Sequence, residues 1–392
     1  MMLADFLAPV GDSIINPEDT EWNSQNLASM FAIHTEMDGL PDLEDVSIAV
    51  VGVAEDRGNP PNKGAGESPD AVRNYLYRLS AGKWSSRIAD LGNMYPGESF
   101  RDTQEGLKEV IRELLNRKIL PLIIGGSQDL TYANYRAYDH LGQTVNLVSI
   151  DARFNLGRNN EQLNADNYLS HVVLKKPYLL FNFSNIGYQT YFVNQDEIDL
   201  MERMYFDIHR LGNFRDRIHE CEPILRDADI VSFDTAAIRQ SDAPANALGS
   251  PNGFSGEEAC AICRYAGLSD KVTSFGIYEN NPVLDDVGRS SHLVAQMIWY
   301  FIEGFNQRKG DYPQARQKDY QKFTVLIEEG EHELVFYKSP LSDRWWIEVP
   351  VKGNDLIKNE RHKLIPCSHE DYQKACEDEI PVRWWQAMKK SI

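Results

Sequence analysis

What the sequence lacks narrows it first. No apolar run approaches the ~20 residues a bilayer-crossing helix needs. Hydrophobic residues make up 42% and charged residues 25%, the composition of a soluble globular chain. Cysteine is scarce: Cys221, Cys260, Cys263, Cys367 and Cys376 are five in 392 residues, an odd number that does not suit a disulfide framework. Cys260 and Cys263 form a C-x-x-C that one helix face would carry. No second ligand pair or thioredoxin-like context accompanies it, so both read as small buried apolar residues. Basic residues are the minority, 40 against 59 acids, for a net charge of −19. That balance opposes nucleic acid and anionic membranes, which are bound by Lys and Arg against phosphate. The opening stretch, "MMLADFLAPVGDSIINPEDTEW", carries acids early and no basic n-region, so a cytoplasmic location is expected rather than a secretory signal.

From residue 46 onward, short β-rich runs alternate with helical patterns. "VSIAVVGV" (46–53), "ILPLIIGG" (119–126), "TVNLVSID" (144–151), "FSNIGY" (183–188), "ADIVSFD" (228–234) and "KVTSFGIYE" (271–279) read as buried strands. Helices are expected over 69–79, with Ser68 as N-cap, and over 103–118, 195–204, 214–226, 255–267 and 287–307. The alternation predicts an α/β fold with a doubly wound, mostly parallel sheet. Residues 1–45 are weakly patterned and are expected to pack on the 46–311 core. Residues 312–392 change character. A hairpin turning near Gly330, a third strand at "DRWWIEVPV", a capped helix at "SHEDYQKACED" and the aromatic "VRWWQAM" predict a small α+β appendage. Its four tryptophans suit docking on the main domain, or a protein partner.

In such a sheet the chemistry sits on the loops after the strands. Asp151, Asp234 and Glu279 all fall at strand ends and converge on one edge. Three acids there could hold a cation, bind a small basic ligand, or pair with local arginines. No Ser-His or Cys-His signature suggests a covalent nucleophile.

Six segments resemble, in order, motifs of the ureohydrolases (arginase, agmatinase and formimidoylglutamase). They are "GAGESPDAVR", "IIGGSQDLT", "SIDARFN", "NIGYQ", "VSFDTAAIRQSDAPANALGSPNGFSGEE" and "GIYENNPVLDD", with "NYLSHVV" similar to a further loop. The resemblance covers about 46–305. It implies an arginase-type three-layer α/β/α sandwich, a homo-oligomer, and two Mn²⁺ ions held by two histidines and four aspartates. A bridging hydroxide would attack an amidino carbon, each metal lowering the pKa of water. At the six ligand positions this chain has Gln128, Asp151, Arg153, Asn155, Asp234 and Ala236, so only the two aspartates remain. Asp129, one residue past Gln128, would serve only through a register shift.

The expectation is therefore a lost metal centre: no Mn²⁺, no ordinary catalysis, and Arg153 lying between Asp151 and Asp234 as a replacement cation. Glu258 matches the glutamate that would contact an amidino group, although acids in a first helical turn also suit the helix dipole. His171 matches a proton-shuttle histidine, and a structural hydrogen bond is its other reading. Glu279 and Asp285 are expected to line the pocket or to hold its loops. The alternative is a working hydrolase of a linear amidine with a rebuilt site.

Overall fold

The computed structural model describes residues 3–18, 22–157, 161–313, 317–327, 330, 332–350 and 362–390. Nine strands form one parallel sheet: β1 (Ala32–Ile33), β2 (Val46–Val53), β3 (Arg87–Met94), β4 (Leu120–Ile124), β5 (Val145–Ile150), β6 (Leu180–Tyr188), β7 (Asp207–Arg210), β8 (Ile230–Asp234) and β9 (Ser274–Tyr278). Their spatial order is β1-β3-β2-β4-β9-β8-β5-β6-β7. The strands are apolar on both faces because both faces are covered. Along β2, Ile48 and Val50 join one core with Val72, Ile262, Ile298 and Phe301. Ala49, Val51 and Val53 join the other with Leu107, Val110, Leu130 and Leu169. The period-2 alternation of side chains thus feeds two helical layers and makes the three-layer sandwich.

Several expected boundaries shift for local reasons. The helix expected over 69–79 spans Ser68–Leu76, and Ser68 is its first residue rather than its cap. The Ser68 hydroxyl instead accepts from Asn280 Nδ2 at 2.9 Å. The helix expected over 214–226 is helical only at Cys221–Arg226, preceded by short 3-10 turns. Asp216, at φ +61°, interrupts it. The helix of 100–116 starts earlier than expected because Ser99 and Asp102 form a capping box. β3 was not anticipated. Asp90 and Gly92 break its apolar run, and only tertiary pairing accommodates Asp90: Arg73 donates to both its oxygens at 2.8 Å and Tyr77 to one at 2.9 Å.

The C-terminal region is a second, antiparallel sheet of β10 (Gln321–Ile327), β11 (His332–Lys338), β12 (Trp345–Glu348) and β13 (Leu364–Cys367), in that order. The hairpin and third strand match expectation, and β13 is additional. Helices His369–Cys376 and Val382–Lys390 complete it, the first with a Ser368–Asp371 capping box. It docks on the main domain. The Arg226 guanidinium stacks 4.5 Å from the Trp346 ring centroid and donates to the Cys367 carbonyl at 3.0 Å. Arg344 pairs with Glu222 at 3.2 Å, and Lys390 donates to Asn182. Trp345, Trp346 and Trp384 are buried.

Candidate functional site

Because the sheet is parallel, the loops after β4, β5, β8 and β9 leave from one edge, and these strands are neighbours there. This brings Asp151, Asp234, Gln128 and Glu279 together. Asp151 is 1%, Asp234 6% and Glu279 2% exposed. Buried carboxylates need donors, and each has them. Asp151 accepts from the Arg153 backbone N–H at 2.9 Å and from Asn155 Nδ2 at 2.6 Å. Asp234 accepts from the Ala236 N–H at 2.7 Å and more distantly from Asn246. Glu279 accepts from the Gln128 N–H and Asn62 Nδ2, both at 2.7 Å, and from Asn59 Nδ2 at 2.8 Å. Glu279 therefore ties the loops after β2 and β4 to the end of β9.

The electrostatics follow from the burial. Desolvation raises the Asp151 carboxyl well above its ordinary value, with Asp234 raising it further and the Arg153 N–H opposing. Burial pushes Asp234 up to about 6, against its bond from Ala236 and the charge of Arg153. Glu279 is raised well above normal by burial and by Asp234.

Arg153 does not lie between the two aspartates as expected. Its guanidinium stacks on Phe192, 4.2 Å from the ring centroid, and among the described residues it makes no ion pair with either carboxylate. Its backbone N–H serves Asp151, while its charge acts on both carboxylates from farther away. The Gln128 side chain turns away from Asp151 and donates to Ser232 Oγ at 2.9 Å, which in turn bonds Thr131 at 2.6 Å. Asp129 faces Gln104 Nε2 at 2.6 Å, and its burial raises it to about 7. Its place on the far side of the turn rules out the register shift.

Other expected site residues disperse. His171 lies on the helix Tyr168–Leu174, its ring set edge-on to Tyr132 in a shallow groove with Lys175 and Lys176. Asp285 accepts from the Ser290 N–H at 2.8 Å at the start of the helix Arg289–Asn306 and borders a different groove, beside Tyr75. Glu258 closes a capping box, its carboxylate accepting from the Ser255 N–H at 2.7 Å. Glu279 is sealed inside rather than lining a cavity. Asp151, Asp234 and Glu279 are thus buried in a hydrogen-bonded cluster, while Glu258 stands apart at a helix start. Cys260 and Cys263 are buried on the helix Gly256–Leu268, with Cys260 raised to about 12.

Sequence reasoning missed Tyr168. Its buried hydroxyl lies 3.1 Å from Ser149 Oγ, and burial and the Asp151 charge raise its pKa, so it is a neutral phenol beside the aspartates. Asn59, Asn62 and Asn246 were missed too, although asparagines clustered in strand-end loops are the signal that could have flagged them.

The donor set can be tested against a pair of Mn²⁺ ions, which favour carboxylate and imidazole ligands. Ala236 has no donor atom, Arg153 is a cation, Gln128 gives its amide N–H to Ser232 and offers only a neutral Oε1, and Asn155 presents its N–H to Asp151. These residues do not fit the pair. Among the described residues no three His, Cys, Asp or Glu side chains form a metal-binding group.

A three-layer α/β/α sandwich with its polar cluster at the carboxyl ends of parallel strands is the general architecture of open α/β sheets, and the sequence match narrows it to one family. The arginase family model matches residues 46–303, and the chain belongs to the arginase family. It is 25% identical to the formimidoylglutamase of Staphylococcus haemolyticus (strain JCSC1435) over 281 residues, 67% of this chain and 89% of that protein. The crystal structure of formimidoylglutamase from Bacillus subtilis subsp. subtilis str. 168 superposes with a TM-score of 0.66 at 19% identity, covering 75% of this chain and 96% of that one. Trypanosoma cruzi formiminoglutamase with Mn²⁺ gives a TM-score of 0.65 at 22% identity, covering 72% and 99%. The family match ends before the C-terminal sheet. Among the described residues no helix is long and apolar enough to cross a membrane.

Proposed function

We propose that this chain is an arginase-family protein that has lost its dinuclear manganese centre, is silent as an amidine hydrolase, and acts through binding or as a structural component. The observation that carries this reading is the pair Asp151 and Asp234, whose carboxylates are met by an amide and backbone N–H groups where two cations would otherwise balance them. Without a metal to activate water, no group here supplies the hydroxide that the chemistry needs. A second reading, hydrolysis of a linear amidine such as formimidoylglutamate, draws support from Glu258, which borders an open cleft, and from the similarity to formimidoylglutamases.

One experiment separates them. The full chain is purified in Mn²⁺, its metal content is measured by mass spectrometry, and formamide release from formimidoylglutamate is followed with and without chelator. The expected result is well under one Mn²⁺ per chain and no chelator-sensitive turnover. Two ions per chain together with turnover that a chelator abolishes would establish the second reading.

A further inference from the structure

The C-terminal sheet ends on an open strand. Among the described residues β10 pairs only with β11, in unbroken antiparallel register over all seven of its residues. In such a pair, alternate residues of the edge strand turn their N–H and C=O groups outward, where they template a further strand. The other edges of the molecule are blunted. β1 has two residues and β7 four, and short edges pair poorly. β13 is buried and carries Pro366, and its Cys367 carbonyl accepts from Arg226 at 3.0 Å. β10 has no proline and no glycine, and its single charged residue is Lys322. Its side chains are half covered. Phe323 and Val325 pack on the core beneath the two C-terminal helices yet stay partly exposed, and on the opposite face Leu326 is 65% exposed.

Charge indicates what this edge accepts. Acids outnumber bases by nineteen over the whole chain, but residues 312–392 hold 14 acids and 13 bases. Nearly all the net charge therefore lies on residues 1–311, and the C-terminal sheet is where two copies approach against the least repulsion. A two-fold axis perpendicular to the sheet pairs two β10 strands antiparallel and keeps both helix layers on one side. The register that engages all seven residues is centred on Thr324. It sets Phe323 against Val325 of the second copy, an aromatic and β-branched pair. On the other face it sets Lys322 against Leu326 of the second copy, beside Glu333, which β11 places next to Leu326. No like charges meet, and the lysine stem can cover Leu326 while its ammonium reaches toward Glu333.

We propose that β10 is a self-association edge: two copies of this chain pair their β10 strands antiparallel about Thr324 and join their C-terminal sheets into one. The edge lies outside the family match of residues 46–303. The inference therefore goes beyond the loss of catalysis proposed above and does not depend on it.

A single strand pair is a small interface, so association is expected at about 1–100 µM. The test is sedimentation equilibrium of the full chain across that range. Lys322→Glu places a carboxylate beside Leu326 and Glu333 of the second copy, at two symmetric points. Adding Leu326→Lys restores an opposite-charge pair across the axis. Both positions are exposed and lie apart along the strand, so the variants should fold and the two side chains do not meet within one chain; circular dichroism checks the fold. Two-fold pairing doubles whatever unit the main domain forms. At the highest concentration the wild type should hold an even number of chains. Lys322→Glu should weaken the pairing at least about tenfold, and the double variant should recover it. Amide hydrogen exchange over 321–327 should slow as wild-type concentration rises, which assembly through the main domain alone would not cause. An odd number of chains, wild-type association by Lys322→Glu, or no recovery in the double variant would overturn the proposal. Exchange over 321–327 that ignores concentration would also overturn it and leave this edge to a strand from a different protein.

Discussion

At the ends of β5, β8 and β9 the carboxylates are buried and tied to amides and backbone N–H groups. At the ends of β6 and β7, on the same edge, guanidiniums stand in solvent around an open cleft. The two halves solve opposite problems. A buried acid without a counter-cation is held by neutral donors, and the residual cost appears as a raised pKa. For Asp234, a rise from 3.8 to about 6 corresponds to roughly 3 kcal/mol at neutral pH, since each unit is worth about 1.4 kcal/mol. The exposed arginines carry no such desolvation cost and stay available. Burial thus shapes the charge balance of the sealed half, while the open half keeps its guanidiniums in solvent.

The largest way to break this contrast is to unseal the first half. Glu279→Leu would strand the Gln128 N–H and the Asn59 and Asn62 amides inside the protein. At about 1–3 kcal/mol for each unsatisfied donor, we expect a loss of about 4 kcal/mol in urea denaturation. A loss under about 1 kcal/mol would show that these loops do not depend on the hub.

A smaller change should act in the opposite direction. Asparagine at 234 keeps an acceptor for the Ala236 N–H and removes the buried charge. Asp234→Asn is therefore expected to stabilise the protein by about 1–3 kcal/mol at pH 7. Because the folded pKa of Asp234 lies above the unfolded one, the native state binds the extra proton between about pH 4 and 6. Wild-type stability should rise as pH falls through that window, and the advantage of the variant should shrink to nothing near pH 4. Destabilisation of the variant at pH 7 would instead reveal a cation on that carboxylate.

The contrast also shows what could be read from sequence. The strands at 46–53, 145–150 and 230–234 were legible because two-sided burial writes a continuous apolar run, and the convergence of Asp151, Asp234 and Glu279 follows from parallel topology alone. β3 was not legible, because Asp90 is tolerated only through Arg73, which lies on a helix. The position of Arg153 was missed for a related reason: charge pairing suggested the aspartates, but Phe192 offered the guanidinium a ring face. The cleft was hidden because Arg210 and Arg215 meet Glu258 only through the packing of β7 beside β6 and the long return after β8.

The smallest expected effect sharpens the boundary between the halves at Glu258. Its capping box is a local, partly solvated feature, so Glu258→Ala should cost about 1 kcal/mol. Glu258→Gln can still accept from the Ser255 N–H and should cost less than half of that. A loss for Glu258→Gln as large as that for Glu258→Ala would show that the carboxylate's charge, rather than its acceptor oxygen, stabilises this helix start.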